Sequence, residues 1–193
     1  MDWIVALAMG YLIGSIPFGL ILTRLGGAGN LREIGSGNIG ATNVLRTGRK
    51  GLAAATLLLD LAKGLVAVVA ARELLGEHFV QAAALAAFAG HCFPVWLMFR
   101  GGKGVATTAG ICFGLAWPIG VVYAVVWLGL LALTRISSLA GMSAAIAAPI
   151  AAWALGFVNY VPALLGIAIA VLILHRANVS RLIAGTEPRI GQK

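Results

Sequence analysis

The sequence predicts an all-α polytopic membrane protein, and three observations carry the prediction. Hydrophobic residues make up 61% of the 193 positions and charged residues only 10%, against about 25% charged in a soluble domain. The apolar residues fall into runs near the roughly 20 residues that a helix needs to cross hydrocarbon. The net charge of +8 resides mostly in short connections between those runs, which suits membrane topology and argues against a nucleic-acid partner.

The first run, Trp3 to about Thr23, contains Ser15-Ile16-Pro17-Phe18. The proline is expected to kink or unwind the helix, with Ser15 satisfying freed backbone groups. Asp2 precedes this run and no basic segment leads it, so it reads as a span and not a cleaved leader. A glycine-rich polar segment follows from Arg24 to Lys50, then a second run from Gly51 to about Ala71 with Asp60 and Lys63 inside it. These two charges lie three residues apart and can pair within one helix; intramembrane charges are also functional candidates, and both readings stay open. The acidic turn Arg72 to His78 leads to a third run, Phe79 to Phe99. Val105 to Ala116 and Ile119 to Leu133 are short for spans, and Leu139 to Phe157 and Val161 to Leu174 are divided by Asn159-Tyr160. Cys92 and Cys112 sit in apolar surroundings and read as packing residues.

Counting about seven crossings, one side receives Arg24, Arg32, Arg46, Arg49, Lys50, Arg100, Lys103, Arg135, Arg176, Arg181, Arg189 and Lys193, twelve of the fourteen basic residues. That side is the cytoplasm by the positive-inside rule, with the N-terminus outside and the C-terminus inside. No repeat or second domain is visible, so residues 1–193 form a single domain.

Three polar segments then share the cytoplasmic face. The first holds Ser36, Asn38, Thr42, Asn43 and Arg46 within eleven positions. Gly35, Gly37 and Gly40 fit a dinucleotide fingerprint literally, but no strand precedes them and the Rossmann reading fails. The second is Arg100-Gly101-Gly102-Lys103-Gly104, where glycine backbone, a lysine and a following helix N-terminus suit an anion. A nucleotide P-loop fails there, since position 97 is leucine and Gly104 follows the lysine. His91 stands about two and a half turns earlier. The third is His175 to Pro188, where a continuing helix would set His175 and Asn178 on one face, and Glu187 is expected to clamp an arginine. The cytoplasmic and membrane acids are only Glu33, Asp60 and Glu187, too few for a di-metal phosphotransferase. A histidine followed five positions later by aspartate, as in acyl-CoA-dependent acyltransferases, is missing too: His91 meets Trp96 and His175 meets Ser180.

Together these segments resemble the bacterial acyl-phosphate:glycerol-3-phosphate acyltransferase family, PlsY. The resemblance rests on G-S-G-N-I-G-A-T-N at 35–43 with Arg46, H-x-F-P-V-x-x-x-F-R-G-G-K-G-V-A-T at 91–107, H-x-x-N-V-x-R-L-x-x-G-T-E-P at 175–188, and S-I-P-F-G in the first helix. Val179, where isoleucine would serve equally, is a conservative departure. The resemblance implies a seven-helix enzyme of the bacterial inner membrane. Such an enzyme moves an acyl chain from acyl phosphate to the sn-1 hydroxyl of glycerol-3-phosphate, releasing lysophosphatidate and phosphate, without metal or organic cofactor. By motif it makes Ser36, Arg46, Lys103, His175 and Asn178 the expected catalytic residues, with Arg46 and Lys103 on phosphate. Asn38, Thr42, Asn43, His91, Gly101, Gly102, Gly104, Thr107 and Ser143 are the expected substrate contacts, with backbone N–H groups from Gly101 to Gly104 as a phosphate cradle. Ser36 could become acylated, or glycerol-3-phosphate could attack directly with a substrate phosphate as base; direct attack is expected, because no oriented base for Ser36 is identifiable. Beyond substrates and membrane lipids no obligatory protein partner is evident. An organic-phosphate transporter and a lipid-binding assembly factor remain the rival classes.

Overall fold

The computed structural model describes residues 1–191; Lys193, counted above among the cytoplasmic cations, lies outside the described residues. Among those residues the chain is helical, with no β-strand.

The first run breaks where its proline requires. Helix α1 (Asp2–Gly14) stops before Ser15, and α2 (Phe18–Leu25) begins after Pro17. Ser15 Oγ donates to the Leu12 carbonyl at 3.0 Å, as expected. The carbonyls at the break itself take donors from further away. Trp96 Nε1 donates to Ser15 O at 3.1 Å and Lys63 Nζ to Ile16 O at 2.8 Å.

A polar loop carrying the short α3 (Ala41–Leu45) leads into α4 (Lys50–Leu75). α5 (Val80–Cys92) ends two residues before Pro94, earlier than the Phe99 limit read from hydropathy. α6 (Val105–Leu115), α7 (Trp117–Thr134), α8 (Ser137–Ala154) and α9 (Val161–Leu174) follow, and α10 (Arg176–Ile183) closes the helical set. The last helix does not run on through His175: α9 and α10 meet at a bend of 61°.

Five segments are long and apolar enough to cross a membrane, with the bent α9–α10 pair a sixth. The remaining apolar helix, α6, has only 11 residues. At 1.5 Å per residue it reaches about 16 Å, roughly half of a bilayer's hydrocarbon core.

Packing follows membrane logic, where close backbone approach replaces a greasy core. Gly10 and Gly14, one turn apart on α1, leave no room for a Cβ against the backbone of Ala83 and Ala87 on α5. Gly64 of α4 meets Thr107 of α6 in the same way, and Gly110 of α6 meets Leu61. Buried alanines such as Ala83, Ala84, Ala144 and Ala148 complete the interior with Ile111, Ile119 and Tyr123. Leu7, Leu58, Val125, Leu133 and Trp153 point outward instead, toward the lipid that solvates them.

The contrast between two glycines tests this packing. Gly110→Leu should overpack the α4–α6 contact by about 1–3 kcal/mol or more, lowering the detergent-solubilised Tm by about 2–4 °C per kcal/mol. Gly129→Ala, on an open face of α7 with nothing within 4 Å, should leave Tm unchanged or raise it slightly. Equal behaviour of the two variants in thermal unfolding would contradict the packing described.

Candidate active site

The loop between α2 and α4 is organised by one buried amide. Asn43 is 2% exposed. Its Nδ2 shares its two hydrogens among the carbonyls of Leu31 (3.0 Å), Ile34 (2.9 Å) and Asn38 (2.8 Å). Its Oδ1 accepts from Ser36 N at 3.1 Å and from Arg46 Nη1 at 3.4 Å. Gly35 and Gly37 take φ of +54° and +67° to make the turn, a conformation that L side chains avoid. A Cβ on Gly35 would lie 2.7 Å from both Asn43 Oδ1 and the Arg46 side chain. Ser36 and Arg46 are thus presented together, with the Asn43 side chain acting inside the loop.

The second segment departs from its expected form. Pro94 ends α5, and Met98 and Phe99 turn the chain back with φ of +52° and +61°. Gly101 N then donates to Cys92 O at 2.9 Å and Gly102 N to His91 O at 3.0 Å. These two N–H groups, expected in the phosphate cradle, instead satisfy the last carbonyls of α5. Gly104, at φ +83°, caps α6, so the backbone following Lys103 is the first turn of that helix. Arg32 Nη2 ties the first loop to the second through Arg100 O at 2.6 Å.

The third segment closes the site. Lys103 Nζ hydrogen-bonds Asn178 Oδ1, and Asn178 Nδ2 donates to Glu187 Oε1 at 2.6 Å. Ser138 Oγ donates to the same oxygen at 2.6 Å, and Arg181 Nε pairs with Oε2 at 2.7 Å. The expected arginine clamp at Glu187 is present, and it also orients Asn178. Burial opposes ionisation of Glu187, but hydrogen bonds from Ser138, Asn178 and Arg181 prevail and hold its carboxyl below the usual range. Ile190 N donates to Arg135 O at 2.7 Å, drawing the tail across the opening.

All three segments line one cavity of about 800 Å³. Of the residues expected there, Ser36, Asn38, Thr42, Asn43, Arg46, His91, Lys103, Gly104, His175 and Asn178 border it. Gly101, Gly102, Thr107 and Ser143 do not; Thr107 is fully buried with its backbone against Gly64. Reading by motif missed Arg135, Ser137, Ser138 and Arg189, which also line the cavity. Thr42 Oγ1 lies 2.9 Å from Ser137 Oγ. Two serines opening α8 straight after a basic turn were the available signal, but they resemble ordinary capping residues.

The electrostatics favour an anion. Arg46, Lys50, Lys103, Arg135, Arg181 and Arg189 face only Asp60 and Glu187 across the cavity. Burial pushes the Lys103 ammonium below its usual value, and Arg181, Arg46 and Arg176 add to that against Glu187. The mouth is cationic, whereas Leu57, Trp127 and Leu131 make another part of the wall apolar. His175 Nδ1 lies 2.8 Å from the Val171 carbonyl. A carbonyl only accepts, so Nδ1 carries the proton and Nε2 is left as a bare acceptor. Burial lowers the His175 pKa from 6.5 to about 4, with Lys103 acting in the same direction.

The fold and the site define an all-helical membrane protein whose cationic cavity adjoins an apolar wall. The sequence profile described as Glycerol-3-phosphate acyltransferase matches residues 4–185, and the chain belongs to that family. It is 60% identical over 193 residues to the glycerol-3-phosphate acyltransferase of Erythrobacter litoralis, covering 100% of this chain and 98% of that protein. It is 57% identical over 190 residues to the one from Mesorhizobium japonicum, covering 98% and 97%. The crystal structure of PlsY (YgiH), an integral membrane glycerol 3-phosphate acyltransferase, in its glycerol 3-phosphate form superposes with a TM-score of 0.93 at 35% identity, covering 99% of this chain and 96% of that one. The lysophosphatidic acid form of PlsY gives 0.89 at 33% identity, with the same coverage.

Two measurements check the site's construction. Asn43→Ala would strip donors from three carbonyls and an acceptor from Ser36 N, costing about 1–3 kcal/mol for each buried group left unpaired. Hydrogen exchange over residues 31–46 should accelerate while α8 and α9 stay protected; unchanged exchange would refute the hub. For His175, the unfolded chain binds a proton below pH 6.5 that the folded chain refuses until about 4. This contribution to stability is therefore complete above 6.5 and is lost as pH falls through that window. Wild-type Tm should fall more between these limits than that of His175→Asn; parallel curves would contradict the assignment.

Proposed function

We propose that this chain transfers an acyl group from acyl phosphate to the sn-1 hydroxyl of glycerol-3-phosphate, giving lysophosphatidate and inorganic phosphate. The observation that carries the reading is the shared cavity, in which Arg46, Lys103 and Arg181 stand beside an apolar wall of Leu57, Trp127 and Leu131. A donor with a phosphate head and a long chain needs both surfaces. The names of the relatives and the ligand forms of the PlsY structures support glycerol-3-phosphate as acceptor and lysophosphatidate as product.

The same cavity supports a topology. Residues 36–46, 103–104, 135–138 and 175–191 contribute to it, so they share one side of the membrane. α4 with α5, α6 with α7, and α8 with α9 each return the chain to that side, and the broken α1–α2 delivers it there. The result is seven crossings with the N-terminus opposite. The cation-rich side is cytoplasmic by the positive-inside rule, which in a bacterium places the protein in the cytoplasmic membrane as a single domain.

In the proposed chemistry Arg46, Lys103 and the first turn of α6 hold phosphate, while Asn178, oriented by Glu187, holds Lys103 in register. The Nε2 acceptor of neutral His175 orients the attacking hydroxyl. That oxygen bonds to the acyl carbon, the bond from carbon to phosphate oxygen breaks, and the hydroxyl proton leaves with phosphate. Asn38 and Thr42 support the loop beside the ligands. Direct attack is supported by the surroundings of Ser36. Its Oγ only accepts, weakly, from Asn38 N at 3.4 Å, and among the described residues no histidine or carboxylate is hydrogen-bonded to it. No metal, organic cofactor or protein partner enters this scheme.

Purified protein supplied with palmitoyl phosphate should release phosphate in a manner dependent on glycerol-3-phosphate. Lys103→Met should lower kcat/KM by about 10²–10³. Transport of an organic phosphate into sealed vesicles without a new ester would replace this reading with a carrier. An acyl-Ser36 adduct trapped without acceptor would overturn direct attack.

A further inference from the structure

The intramembrane pair Asp60–Lys63 and the ring of His91 are not absorbed by the chemistry above, although Asp60 and His91 border the cavity. All three residues are at most 4% exposed. Charges and imidazoles are expensive at such depth and persist where something depends on them.

We propose that Asp60, Lys63 and His91 are positioning residues for the Lys103 turn, forming a polar strut between that turn and the break in the first span. The contacts run from residue to residue with one loose step. Lys63 Nζ donates to Ile16 O at 2.8 Å, where α1 gives way to α2, and lies 5.8 Å from the centre of the Phe18 ring. The same ammonium pairs with Asp60 Oδ1 at 2.7 Å. Asp60 Oδ1 then faces His91 Nδ1 at 3.8 Å. His91 holds the turn by two independent contacts: its carbonyl accepts from Gly102 N at 3.0 Å, and its ring fills the space a Cβ on Gly102 would need. Lys103 is the next residue.

The weak member of this chain is also its most informative. Among the described residues His91 Nδ1 has no hydrogen-bond partner, Thr107 Oγ1 of α6 is similarly unpaired, and Asp60 Oδ1 has only the Lys63 ammonium. A separation of 3.8 Å exceeds a hydrogen bond by roughly 1 Å, within reach of a small ring tilt. Tilting the ring moves the surface on which Gly102 rests, and with it the backbone of Lys103. His91 thus acts from behind the turn and not as a substrate contact. The same contacts assign the Asp60–Lys63 pair a task beyond mutual neutralisation.

The inference rests on the proposed reading only in taking Lys103 as the phosphate holder. It is tested on the full chain in detergent by calorimetric binding of glycerol-3-phosphate alongside steady-state kinetics and Tm. Asp60→Asn combined with Lys63→Met removes both charges at similar volume and avoids an unpaired one. His91→Phe keeps a ring without nitrogen, and His91→Asn keeps a polar nitrogen near the Nδ1 position. The double variant and His91→Phe should weaken glycerol-3-phosphate binding and raise KM by about 10- to 100-fold, while His91→Asn stays within about threefold of wild type. If the double variant does not fold, the comparison of His91→Phe with His91→Asn decides. Folded His91→Phe that binds and turns over as wild type would overturn the strut, as would equal losses in both His91 variants. Wild type that binds glycerol-3-phosphate but transfers no acyl group would instead refute the catalytic reading, leaving the binding comparison to judge the strut.

Discussion

Arg72, near the far end of α4, donates from Nη1 to the Gly114 carbonyl at 2.6 Å and from Nη2 to the Leu115 carbonyl at 3.2 Å. These are the final carbonyls of α6, a helix of 11 residues that ends beside the Arg72–His78 turn. An unpaired backbone carbonyl in hydrocarbon costs several kcal/mol, so a short helix needs a donor at its end. Arg72 supplies it, with its own charge met by Glu77 Oε2 at 2.7 Å and Glu77 in turn hydrogen-bonded by Tyr160. The other end of α6 begins at the Lys103–Gly104 corner of the cavity. How deeply α6 sits is therefore set on one side of the bundle and used on the other. Gly64 and Gly110 let it lie directly against α4, the helix that carries both Arg72 and the Asp60–Lys63 pair.

The same rule governs the first span. Breaking it at Pro17 exposes carbonyls that water cannot reach, and the donors sent to them are Trp96 and Lys63. Both come from segments that lead to the cavity, so satisfying the break also fixes the site. At the mouth the logic reverses. Cations outnumber acids there, and Lys103 is held below its ordinary pKa by burial and by its cationic neighbours. An anion entering this space relieves repulsion that the fold has already built in, which is preorganisation of the kind that makes electrostatic stabilisation effective.

Element order and the helical class were legible because hydrophobic runs of span length have few alternatives. The limits of α9, Val161 and Leu174, were read without error, since Asn159-Tyr160 and His175 mark them chemically. The bend at His175 was not legible, because nothing in its neighbours forbids a straight helix; beyond it Glu187 holds Asn178 and Arg181, a tertiary contact. Ten of the residues singled out by motif border one cavity, because glycine-rich polar loops between spans converge at one end of the bundle. Motif membership could not tell which of them face the space. Thr107 belongs to the lysine motif yet turns into the α4–α6 contact, and Ser138 belongs to none yet holds Glu187.

The glycines around Lys103 show why that distinction is physical and not a matter of finer pattern matching. Pro94 cannot continue α5, so the carbonyls of His91 and Cys92 would be orphaned at the membrane edge. Gly101 and Gly102 are bent back to satisfy them. An L side chain at Gly102 would strike the His91 ring, and one at Gly101 would strike the same two carbonyls. These glycines are required by the end of one helix, and the sequence signal for an anion cradle was produced by a capping problem. The capping solution also shapes the cavity. By closing α5 so tightly it brings the start of α6 beside the end of α5 within a few residues, leaving the unpaired N–H groups of a helix N-terminus and one lysine at the same corner. Glycine and lysine share the motif because the first makes the corner and the second uses it.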